Sequence, residues 1–178
     1  ADGITIKNLT VNCTGERAIN VINGATNVTI ENVTATAANY AVNVAGSGAN
    51  AVITINGSDL TGLNTVNIAG NGVNVTINDT KITCNDQTTT ESYAAISVNA
   101  NDVTVAVTGG EVVVKDNSIE ANIFGDNSAV TFDGTIGATA AKEIVAKVGD
   151  NGFYTLQEAV DYVAEKGGVV TLNKDFAV

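Results

Sequence analysis

A three-residue unit, apolar-Thr-apolar, recurs along the chain and constrains its fold more than any other feature. It reads Ile4-Thr5-Ile6, Val28-Thr29-Ile30, Ile53-Thr54-Ile55, Val75-Thr76-Ile77, Val103-Thr104-Val105 and Val130-Thr131-Phe132, with threonines 24, 25, 22, 28 and 27 residues apart. A second unit, apolar-Asn-apolar, is interleaved with it: Ile19-Asn20-Val21, Val42-Asn43-Val44, Val66-Asn67-Ile68, Ile96-Ser97-Val98 and Ala121-Asn122-Ile123, spaced 23, 24, 30 and 25. A weaker third track lies between them at Leu9-Thr10-Val11, Val33-Thr34-Ala35, Leu60, Ile82 and Val112-Val113-Val114. Each period therefore holds three short strands. The turns between them are rich in Gly, Asn and Ser, as at Asn23-Gly24, Gly46-Ser47-Gly48, Gly70-Asn71-Gly72 and Gly109-Gly110.

Alternation along a strand sends the flanking apolar residues one way and the central polar residue the other. One period cannot bury its own apolar face, but stacked periods bury it in continuous columns. The reading is an all-β chain: a right-handed parallel β-helix solenoid of about six coils, with Val and Ile columns inside and Thr and Asn columns outside. The hand follows the general preference of parallel crossovers. The strand spacing gives the stack a length of roughly 29 Å.

Composition agrees. Val (25) and Ile (15) swamp Leu (5), and β-branched side chains favour pleated sheet over helix. With 44% hydrophobic and 15% charged residues, the chain can build a core, unlike a disordered one. Chemistry is narrowed too. There is no His, which removes imidazole catalysis and ligation, and Arg17 is the sole arginine. A net charge of −11 argues against nucleic acid and against anionic membrane surfaces. No apolar run is long enough for a membrane span, so membrane insertion is not expected. The chain starts within a strand pattern and reads as part of a longer protein.

Cys13 and Cys84 each follow a column threonine by eight residues, as do Ala37 and Gly62. They fall in one small-residue column, three coils apart. That is too far for a disulfide, whose Cα atoms lie within about 7 Å. Coils four and five carry extra residues at 85–93 and 115–118, on one edge of the rod, where solenoids commonly graft function.

The composition changes after residue 140. Residues 1–140 hold 13 acidic and 4 basic side chains (−9), and residues 141–178 hold 6 and 4 (−2). Ile144–Val148 reads as a strand and Gly149–Gly152 as a turn. Thr155 and Glu158 form a capping box at the start of a helix that ends near Lys166, before Gly167-Gly168, and a strand follows at Val169–Leu172. Two domains are expected: coils over 1–140, and over 141–178 an αβ segment that caps them or begins a following β-helix. The run AKVGDNGFYTLQEAVDYVAEKGGVVTLNKD resembles a segment found in large surface proteins of gut bacteria, where it opens β-helices of the pectate-lyase-like superfamily. The coils resemble that superfamily through their repeats. The resemblance implies a bacterial, extracellular or cell-surface location.

Enzymes of that superfamily are implied to need a basic residue, clustered acids, or both. Here the acids stand singly, at Glu31, Asp59, Asp79, Asp102, Glu111 and Glu120. Asp79 and Asp102 are the pair in reach of one another if neighbouring coils align them. No catalytic residue, cofactor or metal ligand set is assigned. Asp116-Asn117, Gly125-Asp126-Asn127 and Gly149-Asp150-Asn151-Gly152 offer oxygens but match no calcium motif. Triplets such as Asn8-Leu9-Thr10 and Asn32-Val33-Thr34 look like glycosylation sites but arise from the repeat itself. The ligand-binding candidates are the threonine column, Thr5, Thr29, Thr54, Thr76, Thr104 and Thr131, together with Asp86 and Tyr93 on the edge insertion. Two functional readings stand. One is a non-catalytic structural or adhesive module, a rigid acidic rod that contacts glycans or other cell-surface components. The other is a polysaccharide-binding or polysaccharide-cleaving β-helix fragment whose catalytic residues are absent or lie outside this piece.

Overall fold

The computed structural model describes residues 2–22, 24–45, 50–85, 93–114, 118–133 and 142–173. The first turn holds β1 (Ile4–Asn12) and β2 (Arg17–Val21), and the second β3 (Asn27–Thr36) and β4 (Tyr40–Val44). The third holds β5 (Val52–Asn56), β6 (Asp59–Gly62) and β7 (Val66–Ile68), and the fourth β8 (Asn74–Asn78), β9 (Lys81–Cys84) and β10 (Ala94–Val98). β11 (Thr104–Thr108), β12 (Glu111–Val114) and β13 (Ile119–Ile123) make the fifth, and β14 (Ala129–Phe132) and β15 (Lys142–Glu143) belong to a sixth. All pairings among these strands are parallel. The chain is a parallel β-solenoid of five complete turns and part of another. Because β15 pairs with β13, the coil sheet continues to residue 143, slightly past the break in composition.

In the first two turns the first and second strands are continuous. β1 and β3 each run through both sheet positions, so one nine-stranded sheet joins two stacks. The bend in these strands is at Asn8 (φ 55°) and Asn32 (φ 51°). The same register position is Gly57 (φ 55°), Asp79 (φ 46°) and Gly109 (φ 67°) in the next three turns. Only Gly, Asn and Asp accept this left-handed backbone cheaply, so they alone occupy the corner. A second such column, Asn50, Gly72, Asp102 and Asn127, leads into the first strand of each turn.

The core is made of inward columns. Val28, Ile53, Val75, Val105 and Val130 stack in one, and Ile30, Ile55, Ile77 and Val107 in the next. The opposite sheet contributes Val42, Val66, Ile96 and Ala121, then Val44, Ile68, Val98 and Ile123. Each large side chain so buried stabilises by about 1.5–3 kcal/mol relative to exposure. The cysteine column stands as expected. Cys13, Ala37, Gly62 and Cys84 share a register position, and both thiols are free. Cys84 is buried, its Sγ 2.8 Å from the Leu63 carbonyl, whereas Cys13 is only half-buried.

Two expectations about the outer columns are corrected. The threonine column runs Thr5, Thr29, Thr54, Thr76, Ala106, Thr131. Thr104 sits two positions away, beside Asn74, because the fourth turn is 30 residues long, two more than the Thr spacing suggests, and the extra length lies before Ser97. Past the exposed Asn20, the asparagine column is not solvated. Asn43 and Asn67 are 3% and 5% exposed, Ser97 2% and Asn122 0%. Their amides satisfy one another along the axis, which allows polar groups to be buried without an unpaired donor. Asn43 Nδ2 donates to Asn20 Oδ1 (2.8 Å), Asn67 Nδ2 to Asn43 Oδ1 (2.6 Å) and Asn99 Nδ2 to Asn67 Oδ1 (2.7 Å).

The C-terminal segment forms a small antiparallel sheet of β16 (Ala146–Val148), β17 (Asn151–Phe153) and β18 (Val170–Leu172), crossed by helix α1 (Leu156–Lys166). The capping box forms as expected: Thr155 Oγ1 accepts from the Glu158 amide (3.2 Å), and Glu158 Oε2 accepts from the Thr155 amide (2.9 Å). The antiparallel pairing sets this segment apart from the coils.

Candidate functional site

The described surface carries two places that the sequence candidates reach: the threonine face of the nine-stranded sheet, and a cleft where the cap meets the asparagine sheet.

On the threonine face, Thr5 and Thr131 are exposed and Thr29, Thr54 and Thr76 are half-buried. Ala106 interrupts the hydroxyl column between Thr76 and Thr131. Thr104 hydrogen-bonds to the Asn74 side chain, and Thr131 Oγ1 donates to the Val105 carbonyl (3.3 Å). The face is therefore one column broken at Ala106, with Thr104 standing apart in a neighbouring register, not one uninterrupted array.

The cleft is built at the last coils. Phe124 follows β13 and anchors the cap. Asn173 Nδ2 donates to the carbonyls of Phe124 (3.0 Å) and Ile144 (3.1 Å). The Lys147 ammonium lies 4.6 Å from the Phe124 ring centroid. A Cβ at position 152 would lie 2.8 Å from Phe124 Cε1 and 3.0 Å from Ile144 Cδ1, so glycine there lets β17 approach. The two-residue loop Gly149-Asp150 closes the hairpin with Gly149 at φ 61°, as a tight turn of this kind requires. This hairpin overhangs the asparagine sheet.

The resulting cleft has a volume of about 360 Å³. Tyr40, Asn64 and Tyr93 line one side, Ser97, Asn99 and Phe124 the other, and Asp150, Asn151 and Gly152 form the overhang. Tyr40 and Asn64 share a column one turn apart, as do Asn99 and Phe124. The two columns are five residues apart along a strand, about 16 Å. Asn64 Oδ1 accepts from the Ala94 amide (3.2 Å), and Asn151 Nδ2 donates to the Tyr162 hydroxyl (2.9 Å). Arg17 lies 5.6 Å from the Tyr40 ring centroid and pairs with Glu16 at 2.7 Å.

Of the two edge-insertion candidates, Tyr93 falls in this cleft and Asp86 lies outside the described residues. The rest of the lining escaped the sequence reading. A signal existed: of four Tyr and four Phe in the chain, three rings gather here.

The acidic pair does not form. Asp79 occupies the left-handed corner leaving β8, and Asp102 the corner entering β11. They are seven register positions apart, about 23 Å along the strands, beyond the roughly 5–9.5 Å that separates glycosidase carboxyls. The oxygen-rich turns serve the fold. Asn101 Oδ1 accepts from the Asp126 amide (2.9 Å), and Asn127 Nδ2 donates to Asp102 Oδ1 (3.3 Å). Asp116-Asn117 lies outside the described residues. Among the described residues no three Asp, Glu or Cys side chains gather as a metal site, and no helix is long and apolar enough to cross a membrane. Compared with protein-family models, with curated proteins and with solved structures, the chain gives no match.

Proposed function

We propose that this chain is a non-catalytic structural and adhesive module of a bacterial surface protein, a stiff acidic rod that spaces or displays neighbouring segments and contacts glycans. The observation that carries the proposal is the side-chain ladder along the axis. Asn20, Asn43, Asn67 and Asn99 bond four successive turns, the middle two through buried amides, in addition to the backbone ladders. A solenoid so bonded holds its length, which is the physical requirement of a spacer. A charge of −11 keeps such a rod apart from like-charged surfaces. The resemblance of the coils and the tail to pectate-lyase-like β-helices of gut-bacterial surface proteins supplies the surface location. The second reading, a polysaccharide-binding or polysaccharide-cleaving β-helix, draws on the cleft for its binding half.

Three measurements test the proposal. Hydrogen exchange should show the turns joined by the ladder opening as one unit, as a stiff stack requires. Antibodies to the chain should label intact source cells as strongly as permeabilised ones. Incubation with plant and mucin polysaccharides should release no reducing ends and no unsaturated sugar absorbing in the ultraviolet. Product release would overturn the non-catalytic assignment, and labelling confined to permeabilised cells would overturn the surface assignment.

A further inference from the structure

We infer that the cleft between the asparagine sheet and the cap is the glycan site, and that its ligand is an uncharged sugar, not a uronate. The inference rests on the adhesive reading above and deepens it. At about 360 Å³ the cleft lies within the size range of small-molecule sites, about 300–1,000 Å³. Tyr40, Tyr93 and Phe124 supply aromatic surface for the apolar C–H face of a sugar ring.

The polar groups specify the rest. Asn99 commits both amide hydrogens inward, to Asn67 Oδ1 (2.7 Å) and Ser97 Oγ (3.0 Å), which leaves its carbonyl oxygen as an acceptor. Asn151 spends a donor on Tyr162. Among the described residues, the Asp150 carboxylate at the loop tip has no side-chain hydrogen bond or ion pair, and the Tyr40 hydroxyl has no hydrogen bond. The cleft thus presents two acceptor groups and one hydroxyl, a set that suits a ligand rich in O–H donors.

Charge selects among such ligands. Arg17 at the Tyr40 end is paired with Glu16, Lys147 at the other end lies over the Phe124 ring, and Asp150 puts a carboxylate on the overhang. These groups leave no surplus of positive charge to hold a carboxylate, and the field of a chain at −11 opposes one. A hexose or N-acetylhexosamine unit meets these conditions, whereas a polyuronate does not.

The test is a titration of the intact chain with three trisaccharides: β-linked glucose, β-linked N-acetylglucosamine and galacturonate. Calorimetry and the NMR signals of the Asn99 and Asn151 side-chain amides report binding. At least one neutral trisaccharide should move both amides with a Kd of about 1 mM or tighter, and galacturonate should bind at least about tenfold more weakly. Asp150→Ala, in an exposed loop, should weaken the neutral sugar about tenfold while the urea midpoint stays put, and Thr76→Ala should leave binding unchanged. The inference is overturned if neither neutral sugar moves these amides at about 10 mM, if the shifts map to the threonine face, or if galacturonate binds more tightly. Those outcomes leave the rod assignment standing, because hydrogen exchange and cell labelling decide it separately.

Discussion

Replacing Asn67 with alanine removes the middle of the buried amide ladder, and the structure sets the cost. Asn67 is 5% exposed, donates to Asn43 Oδ1 at 2.6 Å and accepts from Asn99 Nδ2 at 2.7 Å. The two partners are not equivalent. Asn43 is 3% exposed, so its oxygen loses its amide donor where water does not reach, at about 1–3 kcal/mol. Asn99 is exposed and keeps its bond to Ser97 Oγ (3.0 Å), so solvent replaces most of what it loses. The small void left behind adds about 1 kcal/mol. The expected destabilisation is about 2–4 kcal/mol, read in urea as a midpoint about 1–2 M lower for a slope near 2 kcal/mol per M. Most of the cost is a stranded oxygen, so removing that oxygen as well should recover part of it. The Asn43→Ala/Asn67→Ala double variant should be less damaged than the sum of the singles by about 1–2 kcal/mol. A single-variant effect under about 0.5 kcal/mol, or strict additivity, would refute the argument that these amides are buried at mutual expense.

Three further outcomes are expected. Gly152→Ala should loosen the cap, costing about 1–3 kcal/mol and speeding proteolysis after residue 145, because the new Cβ meets Phe124 and Ile144; in a Phe124→Ala background the same change should cost clearly less. Burial pushes the Cys84 thiol above its ordinary value, against a smaller opposing hydrogen bond from Ser118, so near pH 8 a thiol reagent should modify half-buried Cys13 first and reach Cys84 at the rate of unfolding. The sign of the pH effect follows: a thiol raised in the folded state makes the unfolded state ionise first, so Cys84 should cost stability as pH rises above about 9, and Cys84→Ser should flatten that alkaline slope. Ala106→Thr should change stability by less than about 0.5 kcal/mol, since position 106 is exposed and in the threonine column, whereas Val105→Thr should cost more than about 2 kcal/mol.

The register slip at the fifth turn shows how much the sequence held. Tracking threonine alone gave a spacing of 28 from Thr76 to Thr104, while the asparagine track jumped by 30 from Asn67 to Ser97. In a stack both tracks must lengthen together, and 30 leads to Ala106, as observed. The corner column agreed: Asn8, Asn32, Gly57, Asp79 and Gly109 each follow the column position by three. Propensity misled because Val103-Thr104-Val105 is a good strand triplet wherever it falls.

The solenoid, its inward columns, the cysteine column and the cap's helix with its ends were legible in the chain, because each follows from periodicity or from local hydrogen bonding within a few residues. The tertiary structure alone decided where the cap docks. Contacts between residues far apart in the chain, Asn173 on the Phe124 carbonyl and Gly152 against the Phe124 ring, carry no periodic signature. For the same reason it decided that the asparagine column is buried. Alternation places Asn43 and Asn67 away from the core, but only the stacking of amide on amide removes them from water. The cleft is the joint product of those two facts.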